Sequence, residues 1–301
     1  MTTPLRSSVA THTPAEFEAL VQAIRPELHR YCARMIGSVV DAEDLVQEAL
    51  AKAYAALPTT SVANLRAWLF RIAHNKAIDY LRRASHQQLE YLDEQAALAE
   101  PDPPLAGSEM IAVALSLFLQ LPPKQRSCVI LKDVLGYSLA EISELLDATI
   151  PEIKAALHRG RTRLRALSKH VKADAPAPLG EQERELLTRY IERFNARDFD
   201  ALRAMLADEV RLDLVNRTTR QGRVAVGEYF HRYDQVDDWR LVLGSVENRP
   251  VGLVYTIGEP QSQPAYFILL TWEHEQITCI RDYRYAQYVM RDAEVEIGAH
   301  E

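Results

Sequence analysis

The stretch Ser138–Arg165, SLAEISELLDATIPEIKAALHRGRTRLR, leaves this chain the fewest options. It reads as two helices joined by a tight turn. Ser138 and Glu141 form a capping-box pair that opens the first helix. Leu139, Ile142, Leu145 and Leu146 then share one face. Asp147 stands at the turn, where the backbone often enters the left-handed region, and Asp tolerates that better than most non-glycine residues. Thr149 and Glu152 make a second capping pair, and Pro151 is harmless in a first turn. Ile153, Leu157, Gly160 and Leu164 are the expected buried seam of the second helix. Lys154, His158, Arg161 and Arg165 form an adjacent stripe, with Arg159 and Arg163 beside it.

Between Thr149 and Lys172 seven Lys or Arg stand against one acid, Glu152, a local charge of +6 in a chain of net −7. A charge run alone is usually a solvated helix face. A basic helix behind a capped, bracing helix and a tight turn is what a helix-turn-helix needs to enter a major groove. The acidic balance of the whole chain confines any DNA binding to such local patches.

A length of 301 residues suggests two or three domains, and 48% apolar residues suffice for packed cores. Cys32, Cys128 and Cys279 are odd in number, far apart and without metal-ligand spacing. Reduced thiols in a cytoplasmic protein are the expectation. The N-terminal MTTPLRSSVATHTP lacks the apolar core of a signal peptide. No run approaches the ~18 apolar residues of a membrane span. No cofactor and no metal is implied.

Taken in order, residues 1–12 read as disordered. Thr13 to Glu16 is a third cap signature, with Pro14 at the first helical position. Asp41 can cap a following helix, on which Asp44, Gln47 and Glu48 face outward. Acids at a helix start are also favoured by the dipole alone, so this face has a bland explanation too. After a polar loop, Pro58–Asn64, comes a helix from Leu65 to Arg83. Its Arg66, Arg71, Lys76, Arg82 and Arg83 against Asp79 give net +4. Cations interleaved with aromatics suit single-stranded DNA, where bases stack and phosphates pair; Phe70 reads better as core. Two proline-bearing linkers, 96–108 and 173–180, bound the expected domains at 13–95, 109–172 and 181–295.

DAEDLVQEAL, RAWLFRIAHNKAIDYLRR, LPPKQRSCVILKDVLGYSLAEISELL and IKAALHRGRTRLR together resemble regions 2 and 4 of bacterial sigma factors of the extracytoplasmic-function type. That resemblance implies a transcription initiation factor whose partners are core RNA polymerase and promoter DNA. It implies polymerase contact by Asp41, Asp44, Gln47 and Glu48. It implies minus-ten contact by Asn64, Arg66, Trp68, Arg71, Asn75, Lys76, Arg82 and Arg83. Lys154, His158, Arg159, Arg161 and Arg163 would meet the minus-thirty-five element. Ala155 and Ala156 stand where the family often has Ser and Arg, and Asp147 replaces a frequent Gly.

The last third changes period. Helical stretches Gln182–Ala196 and Phe199–Leu206 precede alternating segments at Val210–Val215, Trp239–Val246, Gly252–Ile257, Ala265–Trp272 and Gln276–Tyr285, with a helix at Val224–Tyr233. Helices followed by an antiparallel meander give an α+β cone. The expected architecture is multidomain: two all-α helical domains, the second with a helix-turn-helix, then this cone. TRYIERFNARDFDALRAMLADEVRLDLV and ITCIRDYRYAQYV resemble the SnoaL-like, nuclear-transport-factor-like fold, which also holds ketosteroid isomerase and polyketide cyclases. The resemblance places Tyr190 at an oxyanion-hole position, Asp213 near a general base, and Asp282 as a candidate cavity residue. The strand Ala265–Thr271 has no acid for the second donor, and an incomplete oxyanion hole loses most of its leverage. No catalytic residue is therefore assigned. Asp213, His274, Arg281 and Asp282 read as cavity or interface groups of a regulatory domain that contacts the helical domains or the 96–108 linker. Two alternatives stand beside this reading: a cone enzyme fused to a DNA-binding module, and a ligand-sensing one-component regulator.

Overall fold

Local capping sets the helices of the N-terminal unit. Thr13 and Glu16 bond reciprocally to open α1 (Pro14–Ile36), which ends where Gly37 turns left-handed at φ 81°. Ser38, not Asp41, caps α2 (Val39–Ala56): its hydroxyl accepts the Asp41 amide, and Asp41 lies in the first turn. The short side chain directly after the glycine wins because it has the extended backbone of a cap, whereas Asp41 is already helical. Asn64 opens α3 (Leu65–Ser85) by accepting the Ala67 amide. Then follow α4 (Leu115–Leu119), α5 (Pro123–Val129) running into a π-helical turn at Ile130–Val134, α6 (Leu139–Leu146) and α7 (Ile150–Ser168). Phe17, Leu28, Tyr31, Phe70, Phe118, Ile130, Ile142 and Ile153 are buried from both halves of this unit.

The computed structural model describes residues 13–60, 62–85, 115–168, 181–236, 238–257 and 263–298. The chain divides into two units, Met1–Lys172 and Ala173–Glu301. The readings of 1–12, 96–108 and 173–180 lie outside the described residues. Among the described residues no helix is long and apolar enough to cross a membrane.

One buried side chain joins the two helical halves of the first unit. Arg126 donates to the Met35 carbonyl at the end of α1, and to the carbonyls of Leu119 at 2.7 Å and Leu121 at 2.8 Å. Burial lowers its pKa to about 10. The Met35 and Leu119 carbonyls are orphans of helix ends, and that of Leu121 lies in the loop before α5; such groups need donors when buried.

In the second unit α8 (Glu181–Asn195), α9 (Phe199–Ala204) and α10 (Arg223–Asp234) accompany one seven-stranded sheet. Its strands are β1 (Leu206–Leu214), β2 (Thr218–Gln221), β3 (Trp239–Val246), β4 (Arg249–Thr256), β5 (Tyr266–Glu273), β6 (Gln276–Asp282) and β7 (Val295–Ile297). The order is β2-β1-β6-β5-β4-β3-β7. The α+β class is as expected, but the purely antiparallel meander is not. β1 pairs with β6 in parallel, because the long connection through α10 and four strands brings β6 back in the same direction. The edge strands β2 and β7, of four and three residues, are too short to leave an alternating pattern. The β3–β4 and β5–β6 hairpins turn through Glu247–Asn248 and His274–Glu275, all four at positive φ, as two-residue hairpin loops require. Asn195 fastens α8 to β3 by accepting the Leu241 amide at 2.9 Å and donating to its carbonyl at 2.8 Å.

Candidate nucleic-acid interface

The helix-turn-helix has the local geometry its residues dictate. Ser138 and Glu141 bond reciprocally around the start of α6. Asp147 is left-handed at φ 52°, and Ser143 Oγ donates to the Ala148 carbonyl at 2.6 Å to close the turn. Thr149 and Glu152 bond in both directions at the start of α7, which lowers the Glu152 pKa to about 2. Ile153, Leu157, Gly160 and Leu164 are all buried. A Cβ on Gly160 would lie 2.7 Å from Val129 Cγ2, so only glycine lets α5 and α7 approach this closely.

The cations of α7 separate by burial. Lys154 and Arg163 are exposed, and His158 and Arg159 are half-buried. Arg161 turns inward. Its Nε and Nη2 clamp Asp133 at 2.8 and 2.6 Å, and both side chains are nearly buried. Charge counting grouped Arg161 with the DNA contacts; the carboxylate it faces lies 28 residues away, out of reach of periodicity.

On α3 the minus-ten candidates have protein partners. Asn64 Nδ2 donates to Glu144 Oε1 at 3.1 Å. Arg66 pairs with Glu27, donates from Nε to Tyr137 Oη at 2.9 Å, and lies over the Tyr137 ring. Burial opposes its charge, but the bonds to Tyr137 and Glu27 outweigh that and raise its pKa. Arg71 donates to the Glu144 carbonyl at 2.8 Å, and Lys76 pairs with Glu48 at 2.7 Å. Arg82 bridges to Asp79 at 3.2 Å and Arg83 Nε donates to the Asp79 carbonyl. Trp68 is half-buried and Asn75 exposed, while Phe70 is core, 5.4 Å from the Tyr137 ring.

On α2, Asp44 and Glu48 are exposed, Gln47 is half-buried, and Asp41 accepts from Tyr80 Oη at 3.2 Å. The neighbouring Glu43 is fully buried against Arg25. Glu27, Asp133, Tyr137 and Glu144 were absent from the sequence-derived site. Glu144 alone had a signal, as an outward acid on the bracing helix.

In the second unit Tyr190, Asp213 and Asp282 do not form one site. β1 and β6 pair Asp213 with Arg281 and Leu214 with Asp282, so the two acids project to opposite faces of the sheet. Asp213 has Arg211 and Arg281 each at 3.8 Å. Asp282 is fully buried and accepts from Tyr229 Oη, Tyr233 Oη and the Arg284 amide, each at 2.8 Å. Burial raises its pKa against those bonds. Tyr190 Oη is buried with its pKa raised by burial and by Asp282. Tyr229 and Tyr233, one turn apart on α10, were the missed members of this cluster; their spacing was the available signal. His274 is a turn residue.

Comparison with known proteins fits this geometry. Residues 20–87 match the Sigma-70 region 2 model and residues 112–164 the Sigma-70 region 4 model. The chain is 31% identical over 164 residues to the ECF RNA polymerase sigma factor SigW of Bacillus subtilis, covering 50% of this chain and 87% of that protein. It is 28% identical over 271 residues to SigG of Mycobacterium tuberculosis, covering 80% of this chain and 73% of SigG, more than Met1–Lys172 alone could supply. The crystal structure of M. tuberculosis SigJ aligns over 90% of this chain and 98% of its own at 19% identity, with a TM-score of 0.35. A capped helix-turn-helix behind a cationic region-2 helix, with these matches, defines a promoter-reading initiation factor. The chain belongs to the ECF family of RNA polymerase sigma factors.

Proposed function

We propose that the chain divides this work among four surfaces. Asp41, Asp44, Gln47 and Glu48 on α2 form the polymerase-facing patch, whose charge sets register and on-rate against a basic clamp. The start of α3, with Asn64, Arg66, Trp68, Arg71 and Asn75, takes the minus-ten strand, and Lys76, Arg82 and Arg83 follow its phosphates. Lys154, His158 and Arg159 read minus-thirty-five base edges, and Arg163 holds phosphate. Arg161 is a brace rather than a reader. The fourth surface belongs to the cone, a non-catalytic regulator of the sigma regions that acts in the cytoplasm through an intramolecular contact. Region 2 spans 13–95, region 4 spans 109–172, and the cone 181–295.

The observation that carries this reading is the exposure of Lys154 and Arg163 on a helix whose start is capped and whose seam is buried. The non-catalytic reading is supported by the separation of Asp213 from Asp282 across the sheet. Titration against core polymerase tests the whole. Charge reversal at Asp44 and Glu48 should weaken core binding while leaving the melting temperature intact; unchanged affinity removes that face. Arg159→Ala should cost ~1–3 kcal/mol at one promoter position. A chain ending at Lys172 should transcribe at a different level from the full chain, and equal output would remove the regulatory role of the cone.

A further inference from the structure

Two sets of contacts join the region-2 helices to the region-4 helices within Met1–Lys172. One is buried: Arg126 reaches the Met35 carbonyl, and Ser127 Oγ lies 3.4 Å from Met35 Sδ. The other is more open and polar, and lies between the start of α3 and the segment that leads into and through α6. Here Asn64 meets Glu144 Oε1, Arg71 meets the Glu144 carbonyl, and Arg66 meets the hydroxyl and ring face of Tyr137.

The partners in this second set are chemical stand-ins for a nucleic-acid strand. A carboxylate oxygen takes the place of a phosphate oxygen. A carbonyl takes the place of a base-edge acceptor, and a phenol ring takes the stacking position beside a guanidinium. Each donor used here is unavailable to DNA while the contact lasts. Arg66 is engaged on three sides, by Glu27, the Tyr137 hydroxyl and the Tyr137 ring. The contact is also of a kind that opens. Asn64, Arg66, Arg71 and Glu144 are exposed and Tyr137 is buried, and bonds among exposed groups are individually weak.

We propose that Tyr137 and α6 form a latch on the minus-ten-reading face, with the buried Arg126–Met35 contact as its pivot. The factor holds the minus-ten strand only after Glu144 and Tyr137 have left Asn64, Arg66 and Arg71. This inference rests on the assignment of α3 to the minus-ten strand. Apparent affinity for single-stranded DNA then equals the intrinsic affinity multiplied by the open fraction, and weakening the latch raises it without adding a contact.

The test uses the full chain and a fluorescein-labelled random-sequence single-stranded DNA pool, with core polymerase binding and amide hydrogen exchange measured alongside. Tyr137→Phe removes the hydroxyl acceptor, keeps the packing on Phe70 and leaves the charge unchanged. Glu144→Ala removes the acceptor of Asn64 together with one negative charge. Both variants should bind the pool roughly threefold to tenfold more tightly. Both should speed exchange in α6 and the first turn of α3, with core affinity no weaker than that of the parent. A gain confined to Glu144→Ala is electrostatic and overturns the latch. So do unchanged affinity and exchange in chains that still bind polymerase. Failure of every chain, the parent included, to bind polymerase overturns the sigma assignment itself, and the latch with it.

Discussion

Helices α3 and α7 are both cationic, yet their charges are spent differently. On α3, Arg66, Arg71 and Lys76 each bond to a group of the same unit. On α7, Arg161 is clamped on two nitrogens by Asp133, while Lys154 and Arg163 are exposed. Local charge therefore does not identify a binding surface. The exposed cation is the candidate reader, and the buried one is a structural tie that happens to carry charge.

The largest effect should separate two arginines on α7. Arg161→Ala strands the buried Asp133 carboxylate and should cost ~3–5 kcal/mol of stability, seen as a lower urea midpoint. A near-wild-type midpoint would mean that Arg161 is a surface cation after all.

Next in size is a pH effect seated on α3. His74 Nδ1 lies 2.6 Å from Tyr31 Oη, and burial lowers its pKa from 6.5 to about 4. The folded protein keeps the ring neutral, so on acidification the unfolded chain takes the proton first. Stability present above pH 6.5 should be lost as pH falls toward about 4, by up to ~3 kcal/mol. His74→Gln keeps an acceptor for Tyr31 and should flatten that dependence in urea titrations run across the window.

Gly160→Ala tests the packing beneath α7. The added methyl meets Val129 at 2.7 Å and should cost ~1–3 kcal/mol, with the midpoint falling while the denaturant slope holds. Smallest in stability is Arg163→Ala, within ~0.5 kcal/mol of the parent. Its effect should appear instead as weaker promoter binding for all sequences and a salt slope reduced by ~1. If Arg161→Ala and Arg163→Ala move stability and salt slope alike, the contrast drawn on α7 collapses.

What could be read in the sequence was local. The Thr13–Glu16, Ser138–Glu141 and Thr149–Glu152 caps and the left-handed Asp147 each depend on residues within a turn or two, and Gly160 was visible through the seam it shares with Ile153, Leu157 and Leu164. What escaped depends on distance along the chain. Asp133 and Arg161 are 28 residues apart, Asn64 and Glu144 80, and Arg126 and Met35 91. Arg126 carries no local signal, because nothing nearby announces the three carbonyls it serves. The cone followed the same rule. Its strands were visible as alternation, while the parallel pairing of β1 with β6, which decides where Asp213 and Asp282 point, was not.

That pairing bears on what the cone could become. Both residues of the His274–Glu275 loop hold the left-handed backbone that fixes hairpin register, and a bulge at Thr278 then sets the pairing of the rest of β6. Exchanging side chains one at a time leaves the two acids on opposite faces. Bringing them together would take an in-frame gain or loss of a single codon in β1 or β6. That event would also turn Ile277 and Ile280, or Leu212 and Leu214, out of the interior. The frame of the strand, more than its alphabet, limits which activities this domain can reach by point mutation.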